Sequence, residues 1–66
     1  MKLEKRNLEN EIARRAFSYK QMARLAGITE KTLQAARNGE EIRINTAGKI
    51  AAALGVSLSE ITEGKE

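Results

Sequence analysis

The chain has 66 residues, 41% of them hydrophobic, and its 12 basic and 9 acidic side chains give a formal net charge of +3. This length suits a single domain over residues 1–66, and the mild basic excess permits an anionic partner without requiring one. Cysteine and histidine are absent, so we expect no disulfide, no catalytic residue, no metal and no other cofactor. No apolar run approaches the roughly 20 residues of a membrane span, which predicts a cytoplasmic protein without a membrane partner.

The composition predicts an all-α fold, because proline is absent and strong helix formers such as Ala, Leu, Glu and Lys dominate. A first helix is indicated by Leu8, Ile12 and Ala16, which recur at intervals of four residues and mark one apolar face. Asn7 is a candidate cap for this helix, although the residues from Lys2 onward are also compatible with an earlier start.

Residues 18–39 predict two short helices joined by a tight turn. The first begins at Ser18, the start of a Ser-x-x-Gln capping box, and ends at Gly27, which adopts a positive φ at little cost. Thr29 is the next N-cap, and the helix that follows it should close at Asn38-Gly39. The residues expected to face the core from these two helices are Met22, Ala23, Leu25, Ala26, Leu33 and Ala36.

A connection then leads to a fourth predicted helix. Ile42 and Ile44 are expected to return to the core, and the helix should be capped by Asn45 or Thr46. Gly48 lies inside it, where a cost of about 1 kcal/mol relative to Ala suggests the close approach of another helix. The apolar positions follow the spacing i, i+3, i+4 and i+7, and they are Ala47, Ile50, Ala51 and Leu54.

The last predicted element is a single-turn fifth helix around Ile61. Gly55 should end the fourth helix, and Ser57 to Glu60 form a second capping box that starts the fifth. Residues 62–66 are expected to form a flexible tail. The five helices together predict one compact bundle.

The segment 18–39 reads SYKQMARLAGITEKTLQAARNG, in which the small residue Ala23 stands four positions before Gly27. Two short helices joined by such a glycine turn are typical of the helix-turn-helix unit. With Asn38-Gly39 and the downstream TAGKIAAALGVSLSEI, the sequence resembles the phage repressor/Cro family of XRE-type regulators over residues 8–61. The resemblance implies a five-helix bundle of the lambda-repressor-like type, whose third helix enters the DNA major groove.

The resemblance also implies roles for individual residues. The positions implied to contact base edges are Thr29, Glu30, Lys31, Thr32 and Ala35. The positions implied to contact DNA phosphates are Tyr19, Lys20, Gln21, Arg37, Asn38 and Arg43. Simpler interpretations are a solvated helix face for Lys31 and Thr32, and for Glu30 a favourable charge at a helix N-terminus.

One departure from the family pattern concerns an ion pair. Relatives often pair an arginine of the first helix with a glutamate at the close of the third, whereas these two positions are Ile12 and Arg37 here. Both partners have therefore changed together. Arg37 is left to bind a phosphate, or to form an ion pair with Glu9, Glu11 or Glu41.

The implied function is that of a sequence-specific, DNA-binding transcriptional repressor. It would act as a homodimer on a pseudo-palindromic operator in double-stranded DNA, associated with the nucleoid and without a small-molecule substrate. The alternative is a protein-interaction module, such as an antitoxin or antirepressor, that uses the same helices. Glu30, Glu40 and Glu41 on the expected DNA face favour this alternative. An enzyme is the weakest hypothesis, because only scattered glutamates would supply acid–base groups.

Overall fold

A computed structural model describes residues 1–62 of the chain. Within this range the α-helices are α1 (Lys5–Arg14), α2 (Tyr19–Ala26), α3 (Glu30–Arg37) and α4 (Ile44–Leu54), and a 3₁₀ helix spans Leu58–Glu60. The helical class is confirmed for these residues, but the count of five α-helices is wrong. The predicted fifth helix is a single 3₁₀ turn of 3 residues, because the chain turns inward at once to bury Ile61.

The core is formed by one apolar side of each α-helix and by both ends of the described chain. The helix α2 packs against α3 and α4, and α1 packs against α3. All the apolar positions predicted for α3 and α4 are buried. No helix within residues 1–62 has the length and apolar character to cross a membrane. The buried residues are Leu3, Leu8, Ile12, Met22, Ala23, Ala26, Leu33, Ala36, Ala47, Ile50, Ala51, Leu54 and Ile61.

The two ends of the described chain pair with each other, which the sequence did not predict. Leu3 and Thr62 form an isolated antiparallel bridge, and the backbone N–H of Glu4 donates to the carbonyl of Ile61 at 2.7 Å. Leu3 is thereby buried at 1% exposure, although no periodic pattern marks it. Thr62, the first residue of the predicted tail, is thus paired, and residues 63–66 of that tail lie outside the described residues.

The helix α1 begins at Lys5, in agreement with the earlier start that the sequence allowed, but its cap and its end differ from the prediction. Glu4 is the N-cap in place of Asn7, because its carboxylate accepts a hydrogen bond from the backbone N–H of Asn7 at 2.9 Å. The side chain of Asn7 instead donates to the carbonyl of Glu60 at 3.3 Å. Ala16 lies beyond the helix, exposed and with a φ of 57°, so its place on the apolar face is wrong. Phe17 packs against the core next to it.

The segment that joins α2 and α3 follows the predicted boundaries. The hydroxyl of Ser18 accepts from the backbone N–H of Gln21 at 3.1 Å, and the Gln21 side chain accepts from the N–H of Ser18 at 2.9 Å. Gly27 ends α2 with a φ of 74°, a left-handed conformation that turns the chain toward α3. Leu25 is 57% exposed, so its assignment to the core is wrong. It lies beside the arc defined by the buried residues of α2.

Three predictions for the start of α4 and for its interior are wrong. Arg43 occupies the N-cap position and α4 begins at the next residue, earlier than the predicted caps Asn45 and Thr46. Ile44, on the first turn of α4, is 64% exposed, whereas Ile42 packs against the core as predicted. Apart from its chain neighbours and the nearby backbone of α4, a Cβ atom on Gly48 would meet nothing within 4 Å in residues 1–62, so no close helix approach accounts for this glycine.

Candidate nucleic-acid interface

Two threonines build the first turn of α3. The hydroxyl of Thr29 accepts from the backbone N–H of Thr32 at 3.1 Å and donates to the Thr32 hydroxyl at 2.9 Å. Thr32 is half-buried, whereas Glu30 and Lys31 are exposed beside it. Because the first N–H groups of a helix carry partial positive charge, this turn favours an electronegative partner such as a phosphate or a base edge.

One accessible face runs along α3 from this turn to its end. Lys31, Gln34, Ala35 and Asn38 recur at helical spacing on this face, and with Glu40 they line an open depression of about 260 Å³. The opposite face is buried in the core. Lys31, Ala35 and Asn38 are among the interface positions predicted from the sequence, whereas Gln34 is not. Its spacing of three residues from Lys31 was the signal that could have identified it.

The first turn of α2 carries the exposed side chains of Tyr19, Lys20 and Gln21. The side-chain oxygen of Gln21 is engaged in the capping box with Ser18, so its NH₂ group is the part that can donate to a ligand. Lys20 adds an ammonium group to a helix end that already favours anions. This turn therefore suits a phosphate.

Glu9 of α1, Tyr19 of α2 and Arg37 of α3 form a polar cluster, here called the Glu9 cluster, that joins three helices. The hydroxyl of Tyr19 donates to Glu9 Oε1 at 2.7 Å, and the Nε and Nη2 atoms of Arg37 both lie 3.1 Å from Glu9 Oε2. The guanidinium carbon of Arg37 lies 3.6 Å from the centre of the Tyr19 ring. Of the three ion pairs that the sequence allowed for Arg37, the structure contains the one with Glu9.

The Glu9 cluster shifts the protonation equilibria of its members. The hydrogen bond from the Tyr19 hydroxyl, together with the charge of Arg37, lowers the pKa of Glu9 against the opposing effect of partial burial. The same hydrogen bond raises the pKa of Tyr19. At neutral pH the carboxylate is thus held ionised and the phenol protonated. Two groups predicted to contact phosphate are therefore already bound to an anion of the protein itself.

The loop between α3 and α4 combines basic and acidic side chains. Asn38 is the exposed C-cap of α3, and Arg43 is exposed before α4. Glu41 pairs with the amino group of Met1, and the hydrogen bond and charge of that ammonium lower the pKa of Glu41. The charge of Glu41 is thereby compensated within the protein, whereas Glu40 remains exposed at the rim of the depression.

Two short helices that meet at a glycine turn, the second exposed along one face, are the features of a known protein family. A family model described as the Cro/C1-type HTH DNA-binding domain matches residues 7–65. The chain belongs to this Cro/C1-type family. The resemblance on which the sequence analysis relied is thereby confirmed. A search of curated proteins gave no significant match.

As a Cro/C1-type domain the chain is a DNA-binding module of a regulatory family. The base and phosphate contacts assigned to single residues stay predictions. The structural role of Glu9 was not apparent from the sequence, in which Glu9 is only one of three possible ion-pair partners for Arg37. Its bond to Tyr19 joins residues ten positions apart on different helices, and no local pattern signals such a contact.

Proposed function

We propose that this Cro/C1-type domain is a transcriptional regulator, most simply a repressor, that binds double-stranded DNA with α3 in the major groove. The observation that carries the proposal is the accessible face of α3, which runs from Lys31 to Asn38 opposite a buried face. A helix with its side chains is about 10–12 Å across, and the major groove of B-DNA is about 12 Å wide.

The side chains of α3 are suited to contacts with different bases. Lys31 is an exposed donor suited to O6 and N7 of guanine, and the methyl group of Ala35 suits the methyl group of thymine. Glu30 can only accept, so the amino group of cytosine is its natural partner. The Thr29 hydroxyl donates its hydrogen to the Thr32 hydroxyl, so a base contact in which Thr29 donates requires that bond to rearrange, whereas Thr32 keeps its own hydrogen for a base.

Residues on both sides of α3 support contacts with the DNA backbone. Lys20 and Gln21 lie at the start of α2, and Asn38 and Arg43 lie after the end of α3. Phosphate contacts of this kind fix the register of a protein on the duplex, while the base contacts provide sequence discrimination. Tyr19 belongs to this group only if its hydroxyl leaves Glu9, whereas Arg37 also carries N–H groups that Glu9 does not hold.

We infer that the functional form is a homodimer on a pseudo-palindromic operator. One α3 helix reaches few base pairs, so a second copy is the direct way to extend the sequence that is read. For two-fold related helices in successive major grooves, the half-sites lie about 34–36 Å apart.

Selection of binding sites from a pool of random duplexes tests the proposal. We expect enrichment of an inverted repeat, with half-site centres about one helical turn apart. Enrichment of a single half-site would contradict the homodimer, and failure to enrich any sequence would contradict sequence-specific binding.

A second candidate function is binding of a protein partner by the same helices. The exposed carboxylates of Glu30 and Glu40, at the two ends of the accessible face, favour it because they repel phosphate. The ionic strength dependence of duplex binding separates the two functions. A DNA-binding domain loses affinity with a log–log slope of about −0.9 for each phosphate neutralised, and the absence of salt-sensitive binding would favour the protein partner.

A further inference from the structure

We propose that the carboxylate of Glu9 is an internal competitor of DNA phosphate, which holds Arg37 and the Tyr19 hydroxyl back from the DNA backbone and thereby limits DNA affinity. This inference rests on the proposed function, because it concerns the same surface. It assigns to Glu9 a role in setting DNA affinity without any contact to DNA.

The geometry of the Glu9 cluster is that of a bound anion. One oxygen of Glu9 accepts from the Tyr19 hydroxyl at 2.7 Å, and the other accepts from Nε of Arg37 at 3.1 Å and lies at the same distance from Nη2 of that guanidinium. Arginine presents the same pair of donors to a phosphate group. Arg37 and Tyr19 therefore cannot offer these donors to DNA while Glu9 holds them.

The exposure of the cluster makes an exchange physically reasonable. The side chains of Arg37 and Glu9 are 24% and 28% exposed, so water and a ligand can reach the pair, and such pairs are weaker than fully buried ones. The stacking of Arg37 on Tyr19 needs no carboxylate, so it can persist when a phosphate replaces Glu9. Glu9 then remains as a negative charge that repels the incoming backbone.

A purely structural role for Glu9 makes the opposite prediction. If Glu9 only holds α1, α2 and α3 together, its neutralisation should leave DNA affinity unchanged or lower it. If Glu9 competes with phosphate, its neutralisation should raise the affinity and increase the number of phosphates contacted. The sign of the change therefore separates the two roles.

The test compares Glu9→Gln with Glu11→Gln on a short duplex of mixed sequence, by fluorescence anisotropy over a sodium chloride series. Glu11 lies on the same helix and pairs with Arg14 and Arg15, so its variant gains the same charge without touching the Glu9 cluster. We expect Glu9→Gln to bind about three- to tenfold more tightly than Glu11→Gln, with a log–log salt slope steeper by about 0.9 for each phosphate newly contacted.

A second pair of variants identifies the group that Glu9 withholds. In an Arg37→Gln background the guanidinium is absent, so Glu9→Gln should no longer exceed Glu11→Gln in its effect on the salt slope. Circular dichroism gives the folded fraction by which each affinity is corrected. A Glu9→Gln variant that does not fold would overturn the inference, because the carboxylate would then be indispensable rather than exchangeable.

The outcomes distinguish this inference from the proposed function. Equal affinities and slopes for Glu9→Gln and Glu11→Gln, with salt-dependent binding by the unaltered protein, would overturn the role of Glu9 and leave DNA binding intact. Absence of duplex binding by the unaltered protein would overturn both.

Discussion

The two ends of α3 are held in different ways. At its start, Thr29 caps the helix from within the same chain segment and leaves Lys31 exposed. At its end, Arg37 is tied to α1 and α2 through Glu9 and Tyr19. The start is thus stabilised locally and keeps its side chains for a partner, whereas the end is stabilised by tertiary contacts that occupy its side chain. The start of α3 therefore has side chains available for the proposed base contacts, whereas the charge of Arg37 at its end is already engaged within the protein.

The largest effect on stability should come from shortening the buried side chain in the middle of α3, which supports both ends of the helix. Leu33 lies in the middle of α3 with 1% exposure, and Leu33→Ala should cost about 2–5 kcal/mol of unfolding free energy, because it leaves a cavity. Urea denaturation followed by circular dichroism measures this. Gln34→Ala, on the exposed face of the same helix, should change stability by less than about 0.5 kcal/mol. Similar losses of stability in both variants would show that Leu33 does not anchor α3 to the core.

The next effect tests the start of α3 as a reader of bases. Lys31→Ala should cost about 1–3 kcal/mol of binding free energy at one base pair of the operator and relax specificity there. Lys20→Ala, on α2, should weaken all duplexes alike and make the salt slope shallower by about 0.9. Anisotropy titrations across base-substituted duplexes measure both. A uniform loss for Lys31→Ala would remove it from the base-contacting set.

A smaller effect tests the local cap. Thr29→Ala removes the hydroxyl that accepts from the backbone of Thr32, and it should lower the unfolding free energy by about 0.5–2 kcal/mol. Thr29→Ser keeps this hydroxyl and should retain most of the stability. Thermal denaturation of the two variants measures the difference, and an equal loss of stability in both would show that the hydroxyl does not cap α3.

The smallest effect is a pH dependence at the other end of α3. The lowered pKa of Glu9 contributes stability that is present above its ordinary value of 4.5 and is lost as pH falls through the folded value. The raised pKa of Tyr19 contributes stability that is present below 10.0 and is lost as pH rises through the folded value. Each should be worth less than about 1 kcal/mol, because the cluster is partly exposed.

Denaturation midpoints across pH measure these two contributions. Glu9→Gln should remove the acidic one and, because it eliminates the hydrogen-bonded carboxylate, reduce the alkaline one as well. Tyr19→Phe should abolish the alkaline contribution and weaken the acidic one. Unchanged profiles in both variants would show that the cluster does not stabilise the fold.

Features that depend on neighbouring residues could be predicted from the sequence. The capping box at Ser18, the left-handed turn at Gly27 and the cap at Thr29 are set by chemistry within a few residues, and all three are confirmed. The apolar spacing of α4 predicted its buried face for the same reason. On the site, the family resemblance named Lys31 and Ala35, and the structure places them together on the accessible face of α3.

Features that depend on distant residues could not be predicted. Leu3 is buried because it meets the far end of the described chain, and Glu9 is bound to Tyr19 because the fold brings α1 next to the start of α2. Leu25 and Ile44 are hydrophobic, yet no other part of the described chain covers them. The hydrophobicity of a side chain does not by itself show which surfaces of the fold pack against each other.

The pairing of Leu3 with Thr62 has a consequence for how the protein is made. These residues are separated by almost the whole described chain, so the contact that covers the core at Leu3 and Ile61 forms only after the last helical turn has been synthesised. Native structure therefore cannot be completed on the ribosome while Thr62 is still inside the exit tunnel. Until then a nascent chain that already contains α1 to α4 exposes an apolar edge, and the emergence of Thr62 from the exit tunnel is the step that allows this edge to be covered.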